Sequence, residues 1–273
     1  MYDQELAAGL DAVNKASSHL LAAYAEFRPI PDAPADITTE ADRQAQEIVL
    51  QHLIGAFPSD AFCAEENTAT LRDARTSGDR QWIIDPIDGT RGFAQKNGEF
   101  SVMVGLVEKG QIALGIVAQP AAGRLTYAKR GGGCWRRDGE APAQRCQVTN
   151  TATLSQATLT QSRSRDPSKP SRWVAALKPA RVIETHSAGV KLALVARGEA
   201  DLYLNTYEAF HDWDICAGHI LVSEAGGNVT GSGGQPLVYG TPGAWQRHGL
   251  LASNGKVHDE AIERIRPALG GRS

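Results

Sequence analysis

Apolar residues near the start recur at helical spacing, with Leu6, Leu10, Val13, Leu20 and Tyr24 on one face together with Ser17. This predicts an opening amphipathic helix. Three prolines between Arg28 and Asp36 end it, because proline lacks a backbone N–H and fixes φ. A second helix is expected from Thr38 or Thr39, carrying Ala41, Ala45, Ile48, Val49 and Leu53 inward. Phe62-Cys63-Ala64 and Trp82-Ile83-Ile84 read as short strands, and the polar stretch from Asn67 to Arg80 between them as a surface connection. Two β-rich runs, 100–107 and 111–118, meet at Glu108-Lys109-Gly110 and predict a hairpin. A third strand over 124–128 leads into the glycine run 131–133.

Residues 138–150 are polar and contain proline, which suggests a division into an N-terminal half, 1–145, and a C-terminal half, 146–273. Beyond it strand and helix alternate. Strands are expected at Thr158-Leu159, Val182-Ile183, 202–204 and Leu250-Leu251, and helices at 173–177, 187–196, 213–225 and 257–266. This alternation suits a layered, mixed α/β architecture.

Composition narrows the function without choosing it. A 273-residue chain with 42% hydrophobic and 22% charged residues can bury a large core. Its net charge of -3 gives no general attraction to nucleic acid or an anionic membrane. No apolar run is long enough to span a bilayer, and the start Met1-Tyr2-Asp3-Gln4-Glu5 lacks the basic and apolar stretches of a secretory signal. A cytoplasmic protein is expected. Its four cysteines contain no C-x-x-C pair and read as reduced thiols.

The densest chemical signal is Trp82-Ile83-Ile84-Asp85-Pro86-Ile87-Asp88-Gly89-Thr90. A strand ends at Asp85, Pro86 ends the pairing, and two carboxylates three residues apart converge with a carbonyl between them. Oxygen-only ligands of this kind suit a hard cation such as Mg²⁺. Gly89 lets backbone N–H groups approach an anionic oxygen. Glu65-Glu66 follows another strand, Asp214 opens an apolar helix, and Asp42 stands three residues after Thr39. Taken singly, Asp42 and Asp214 also fit ordinary helix-capping positions. His211 reads as a structural hydrogen-bonding residue, and the glycine run as a turn.

Together these segments resemble the inositol monophosphatase superfamily. The resemblance is carried by Ile37-Thr38-Thr39-Glu40-Ala41-Asp42, Glu65-Glu66, Asp85 to Thr90, and Trp213-Asp214-x-x-Ala217-Gly218 continuing to Glu224-Ala225-Gly226-Gly227. It implies an α-β-α-β-α sandwich and a phosphatase using two or three Mg²⁺ ions, with Mn²⁺ a substitute. Glu65, Asp85 and the Ile87 carbonyl would hold the activating metal, and Asp85, Asp88 and Asp214 a second. Thr90, supported by Asp42, would orient the attacking water, with Glu65 also catalytic. Gly89 and Thr90 would grip the phosphate. The resemblance also suggests a homodimer.

Arg91-Gly92-Phe93 and Ser187-Ala188-Gly189-Val190-Lys191 look more like the 3′(2′),5′-bisphosphate nucleotidase branch. That implies adenosine 3′,5′-bisphosphate as substrate, with Ser187 and Lys191 in its binding site and Lys191 meeting the remaining phosphate. Glu208 is the nearest candidate for a substrate-contacting acid in the longer connection before Asp214. Inositol phosphate and histidinol phosphate are the alternative substrates. A regulatory partner of RNA polymerase or RNA is the non-enzymatic reading, against which stands the complete carboxylate set.

Overall fold

The N-terminal apolar stripe forms α1 (Asp3–Glu26), packed against α2 (Glu40–Ala56), whose N-cap is Thr39. In this computed structural model, residues 1–34, 36–163 and 171–269 are described. The α1–α2 pair covers one face of a seven-stranded sheet in sequential order: β1 (Ala61–Ala64), β2 (Arg80–Asp88), β3 (Ser101–Glu108), β4 (Gln111–Gln119), β5 (Arg124–Lys129), β6 (Gly133–Asp138) and β7 (Gln144–Arg145). Only the β1–β2 pairing is parallel in that sheet. Between β1 and β2, the predicted surface connection contains a short helix, α3 (Ala69–Asp73). The β3–β4 hairpin turns at Lys109 and Gly110, both at positive φ, as a tight two-residue turn requires.

After β2 comes a single turn of helix, α4 (Thr90–Ala94). The second sheet has the order β12-β14-β10-β8-β9, built from β8 (Thr158–Gln161), β9 (Arg181–Glu184), β10 (Leu202–Asn205), β12 (Asn228–Thr230) and β14 (Leu250–Ser253). A small ribbon pairs β11 (Phe210–His211) with β13 (Trp245–Gln246). Strands β6, β7 and β11 to β13 were not legible in the hydrophobic pattern; three of them are only two residues long.

Three helix layers complete the sandwich. The α1–α2 pair lies outside the first sheet, while α6 (Ala188–Ala196) and α7 (Asp212–Glu224) lie between the two sheets. Outside the second sheet are α5 (Arg172–Leu177) and α8 (His258–Leu269). This is the expected α-β-α-β-α order. The first sheet lies within residues 61–145 and the second within 158–253, yet one buried cluster joins Ile83, Met103 and Val117 to Leu192, Ile215 and Leu250. No helix among the described residues is long and apolar enough to cross a membrane.

One strand departs from the expected course. β2 does not stop at Asp85 but continues to Asp88, with a register shift: Asp85 pairs with Met103 and Asp88 with Ser101. Three residues on β2 therefore span two on β3, which is a bulge. Pro86 is tolerated inside it, since a bulge leaves a backbone group unpaired.

Candidate active site at the carboxyl ends of parallel strands

Two sets of parallel strands end at one cavity. Glu65 follows β1 and Asp85 to Asp88 close β2; Ser162 and Arg163 follow β8, Thr185 and His186 follow β9, and Asn205 ends β10. Strands running in parallel place their carboxyl ends on the same edge, where α/β folds gather ligand-binding groups. The cavity is about 460 Å³ and is lined by Glu65, Asp85, Ile87, Asp88, Gly89, Thr90 and Asp214 on its acidic side. Arg91, Arg163, His186 and Lys191 line it as well, with Tyr203, Asn205, Tyr207 and Phe210.

The acidic side is held in place by helix ends. Asp42 Oδ2 accepts the Thr39 backbone N–H at 2.8 Å and its hydroxyl at 2.6 Å, while Oδ1 lies 2.9 Å from Thr90 Oγ1. The capping role and the contact with Thr90 thus use different oxygens of one carboxylate. Thr90 Oγ1 is also 2.9 Å from the Ile87 carbonyl oxygen. Gln46 on α2 accepts the Glu66 N–H at 2.8 Å and fixes the segment carrying Glu65. Asp214 Oδ2 accepts the His211 N–H at 2.6 Å at the start of α7. The His211 ring stacks on Trp213 at 4.2 Å and is not part of the cavity lining.

Asp88 and Asp85 differ sharply. Asp88 Oδ1 accepts the Ala188 N–H at 2.9 Å, and Oδ2 accepts Gly189 N–H at 2.6 Å, Ser101 Oγ at 3.1 Å and the Ser187 hydroxyl. Its charge therefore sits at the N-terminus of α6, where exposed N–H groups and the helix dipole favour an anion. Gly189 is needed there: a Cβ would lie 2.6 Å from Met103 Sδ and 2.8 Å from Ser101 Oγ. Asp85, by contrast, is buried and its Oδ1 has no partner.

Electrostatics single out the same acids. Burial raises Asp85 well above the usual carboxylate range, reinforced by repulsion from Glu65, Asp88 and Asp214. Burial also raises Glu65, with repulsion from Asp214 next. The two carboxyl groups also act on each other, lowering Glu65 and raising Asp85, as neighbouring acids do when they share a proton. Asp214 is pushed up to about 7, mainly by burial and against the opposing bond from His211. Asp42 is raised by burial.

As the side chains stand, no group of three ligand-type residues among the described ones is disposed to hold a single ion. Asp88 is turned onto α6 and Glu65 onto Asp85. The donor set nevertheless fits Mg²⁺: the groups are carboxylate and carbonyl oxygens, one buried oxygen of Asp85 lacks a partner, and the crowded acids are raised by burial and then by mutual repulsion, which a cation relieves.

Several expected binding residues sit differently from the simplest reading. Lys191 lines the cavity, but its ammonium donates to the Thr185 carbonyl at 2.9 Å, the His186 carbonyl at 3.1 Å and Ser162 Oγ at 3.3 Å. Its three protons are thereby engaged, so it acts on a bound anion through its field and by fixing the ends of β8 and β9. Ser187 caps α6, accepting the Val190 N–H at 2.9 Å, and bonds Asp88. Glu208 is exposed and is not brought to the cavity wall, whereas its neighbours Tyr207 and Phe210 are. Sequence reasoning missed Arg163, His186 and Ser101. The usable signal was position, since Arg163 and His186 each stand two residues past a parallel strand.

A family model described as the inositol monophosphatase family matches residues 2–269. The fructose-1,6-bisphosphatase/inositol-1-monophosphatase of Thermotoga maritima is 31% identical over 240 residues, covering 87% of this chain and 86% of that protein. The histidinol-phosphatase of Mycobacterium tuberculosis is 31% identical, over 86% of this chain and 87% of its own. A solved Thermotoga maritima IMPase superposes with a TM-score of 0.81 at 27% identity, covering 99% of both chains.

Proposed function

The chain belongs to the inositol monophosphatase family, and on that premise we propose that it is a magnesium-dependent phosphatase removing the 3′-phosphate from adenosine 3′,5′-bisphosphate. Hydrolysis of phosphoric monoesters is the activity of the family and its named relatives. The finer reading is carried by one observation. A single cavity sets an acidic wall of Glu65, Asp85, Asp88 and Asp214 beside cationic Arg91, Arg163 and Lys191.

Glu65, Asp85, the Ile87 carbonyl, Asp88 and Asp214 would hold Mg²⁺, which supplies water activation and neutralises charge on the departing oxygen. The chain's own groups do the rest. Thr90 Oγ1, anchored 2.9 Å from Asp42 Oδ1, presents a hydroxyl that orients the attacking water. Asp42, raised by burial, is suited to share that proton. Gly89, at φ 87°, caps the single turn of α4, so its backbone comes close to a bound phosphate. A Cβ there would stand 2.7 Å from the Glu99 carbonyl oxygen. The cationic wall meets the phosphate that is retained, and a site built around that contact discriminates against substrates lacking it. The cytoplasmic location and the homodimer belong to the same reading; sedimentation at micromolar concentration tests the latter.

The deciding experiment compares kcat/KM for adenosine 3′,5′-bisphosphate, adenosine 5′-monophosphate, inositol 1-phosphate, fructose 1,6-bisphosphate and histidinol phosphate. The nucleotide bisphosphate is expected to lead, yielding adenosine 5′-monophosphate. A lead by inositol or histidinol phosphate rejects the substrate and leaves the phosphatase intact.

A further inference from the structure

We propose that Arg163 is the side chain that selects for a second anionic group on the substrate, and that Glu99 is the positioning residue that holds it. This rests on the phosphatase reading above and names the contact behind its substrate preference.

Arg163 stands just past the carboxyl end of β8 and lines the cavity shared with the carboxylate cluster. Glu99 receives its Nε at 2.8 Å and also its Nη2. The same Glu99 carboxylate accepts the His186 backbone N–H at 3.2 Å, tying the segment after β8 to the segment after β9. Glu99 is fixed in turn by its main chain. Its carbonyl oxygen lies so close to the turn after β2 that a Cβ on Gly92 would stand 2.4 Å away. Arg163, with its side chain 44% exposed, is thus tied to the same turn that carries Thr90. Selective recognition needs such a fixed distance between the reacting phosphate and a distal contact.

The other cations play different parts. Lys191 has its protons engaged, and it supplies charge without a free donor. Arg91 lines the cavity with a buried Nε that has no partner, and it adds to the same wall. Arg91, Arg163 and Lys191 all depress the basicity of His186, behind the larger effect of its burial, whereas Glu99 opposes them. Glu99 is the strongest of these charges at His186, Glu184 also acts on Arg163 and Asp88 on Lys191, so the three cations make a wall that is positive beside its own acids. A guanidinium bound to Glu99 through Nε and Nη2 has a second edge, Nη1 with Nη2, whose geometry matches two phosphate oxygens.

The test measures kcat/KM for adenosine 3′,5′-bisphosphate and adenosine 3′-monophosphate with wild type, Arg163→Ala, Arg163→Lys and Glu99→Gln. Wild type is expected to prefer the bisphosphate. Arg163→Ala should cut that preference at least tenfold, mainly through KM. Arg163→Lys should recover part of it, and Glu99→Gln should fall between. Should Arg163→Ala not fold, Arg163→Gln replaces it in the comparison. A wild type with no preference overturns the substrate assignment and this inference together. A preference that survives loss of the guanidinium overturns the inference alone. Equal losses on both substrates, with kcat falling in parallel, make Arg163 a structural residue and overturn it too.

Discussion

Gly189 donates its backbone N–H to the Asp88 carboxylate at 2.6 Å, so the first turn of α6 is bonded directly to the bulge that closes β2. Four donors converge on Asp88, while three residues earlier Asp85 Oδ1 has none. Two aspartates of one bulge therefore have opposite energetics in the absence of metal.

Exchanging each for asparagine exposes that difference. Both Asp85→Asn and Asp88→Asn should lose nearly all turnover. In chelator at pH 8, Asp85→Asn should be more stable than wild type, because a buried, repelled charge is gone. Asp88→Asn should be less stable by about 1–3 kcal/mol, since an amide replaces charge-assisted bonds to the helix N-terminus. Denaturant unfolding reads both; greater stability of Asp88→Asn would show that the helix contact contributes nothing.

Metal-free stability should fall with rising pH. The folded-state value for Asp214 is about 7, above the ordinary carboxylate value of about 4, and Glu65 and Asp85 are raised in the same direction. A raised carboxylate binds more protons folded than unfolded. Its contribution is full below about pH 4 and is lost as pH rises through about 7, at up to about 1.4 kcal/mol per pH unit per group. Thermal melts in chelator should drop from pH 5 to pH 8, less steeply in Asp214→Asn. A flat profile would contradict the crowding.

Added Mg²⁺ should reverse that trend, raising Tm more at pH 8 than at pH 5, because ligands must be deprotonated to bind. Turnover should need Mg²⁺, accept Mn²⁺ and vanish in chelator, and Li⁺ should inhibit. Full activity in excess chelator is the result that would reject metal dependence.

Thr90→Ala removes the hydroxyl held by Asp42 and should lower kcat about 10²-fold, with a smaller change in Mg²⁺ affinity followed by calorimetry. Thr90→Ser should keep much of the rate. An equal loss of metal affinity would reassign Thr90 to the metal site.

Lys191 needs two variants. Lys191→Ala leaves the Thr185 and His186 carbonyls unpaired and opens a void, so a loss of about 2–5 kcal/mol in stability is expected. Lys191→Met keeps the volume and removes the charge; it should raise KM for the bisphosphate more than for a monophosphate. Identical effects on the two substrates would limit Lys191 to a structural role.

Local pattern determined much about this chain. The apolar spacing of Leu6 to Tyr24 set α1, the Lys109-Gly110 turn set the β3–β4 hairpin, and Asp85 to Thr90 announced an oxygen-rich turn, because each depends on residues close in sequence. Tertiary structure alone decided the rest. Asp88 meets Ser187 and Gly189 across 99 and 101 residues, and Glu99 meets Arg163 across 64. No periodicity encodes such pairs. Lys191, expected to meet the remaining phosphate, is a buried brace between the ends of β8 and β9, and the bulge at Pro86 carries β2 on to Asp88. Side-chain roles of this kind follow from which strand ends share an edge, and that is fixed only when the two sheets close on α6 and α7.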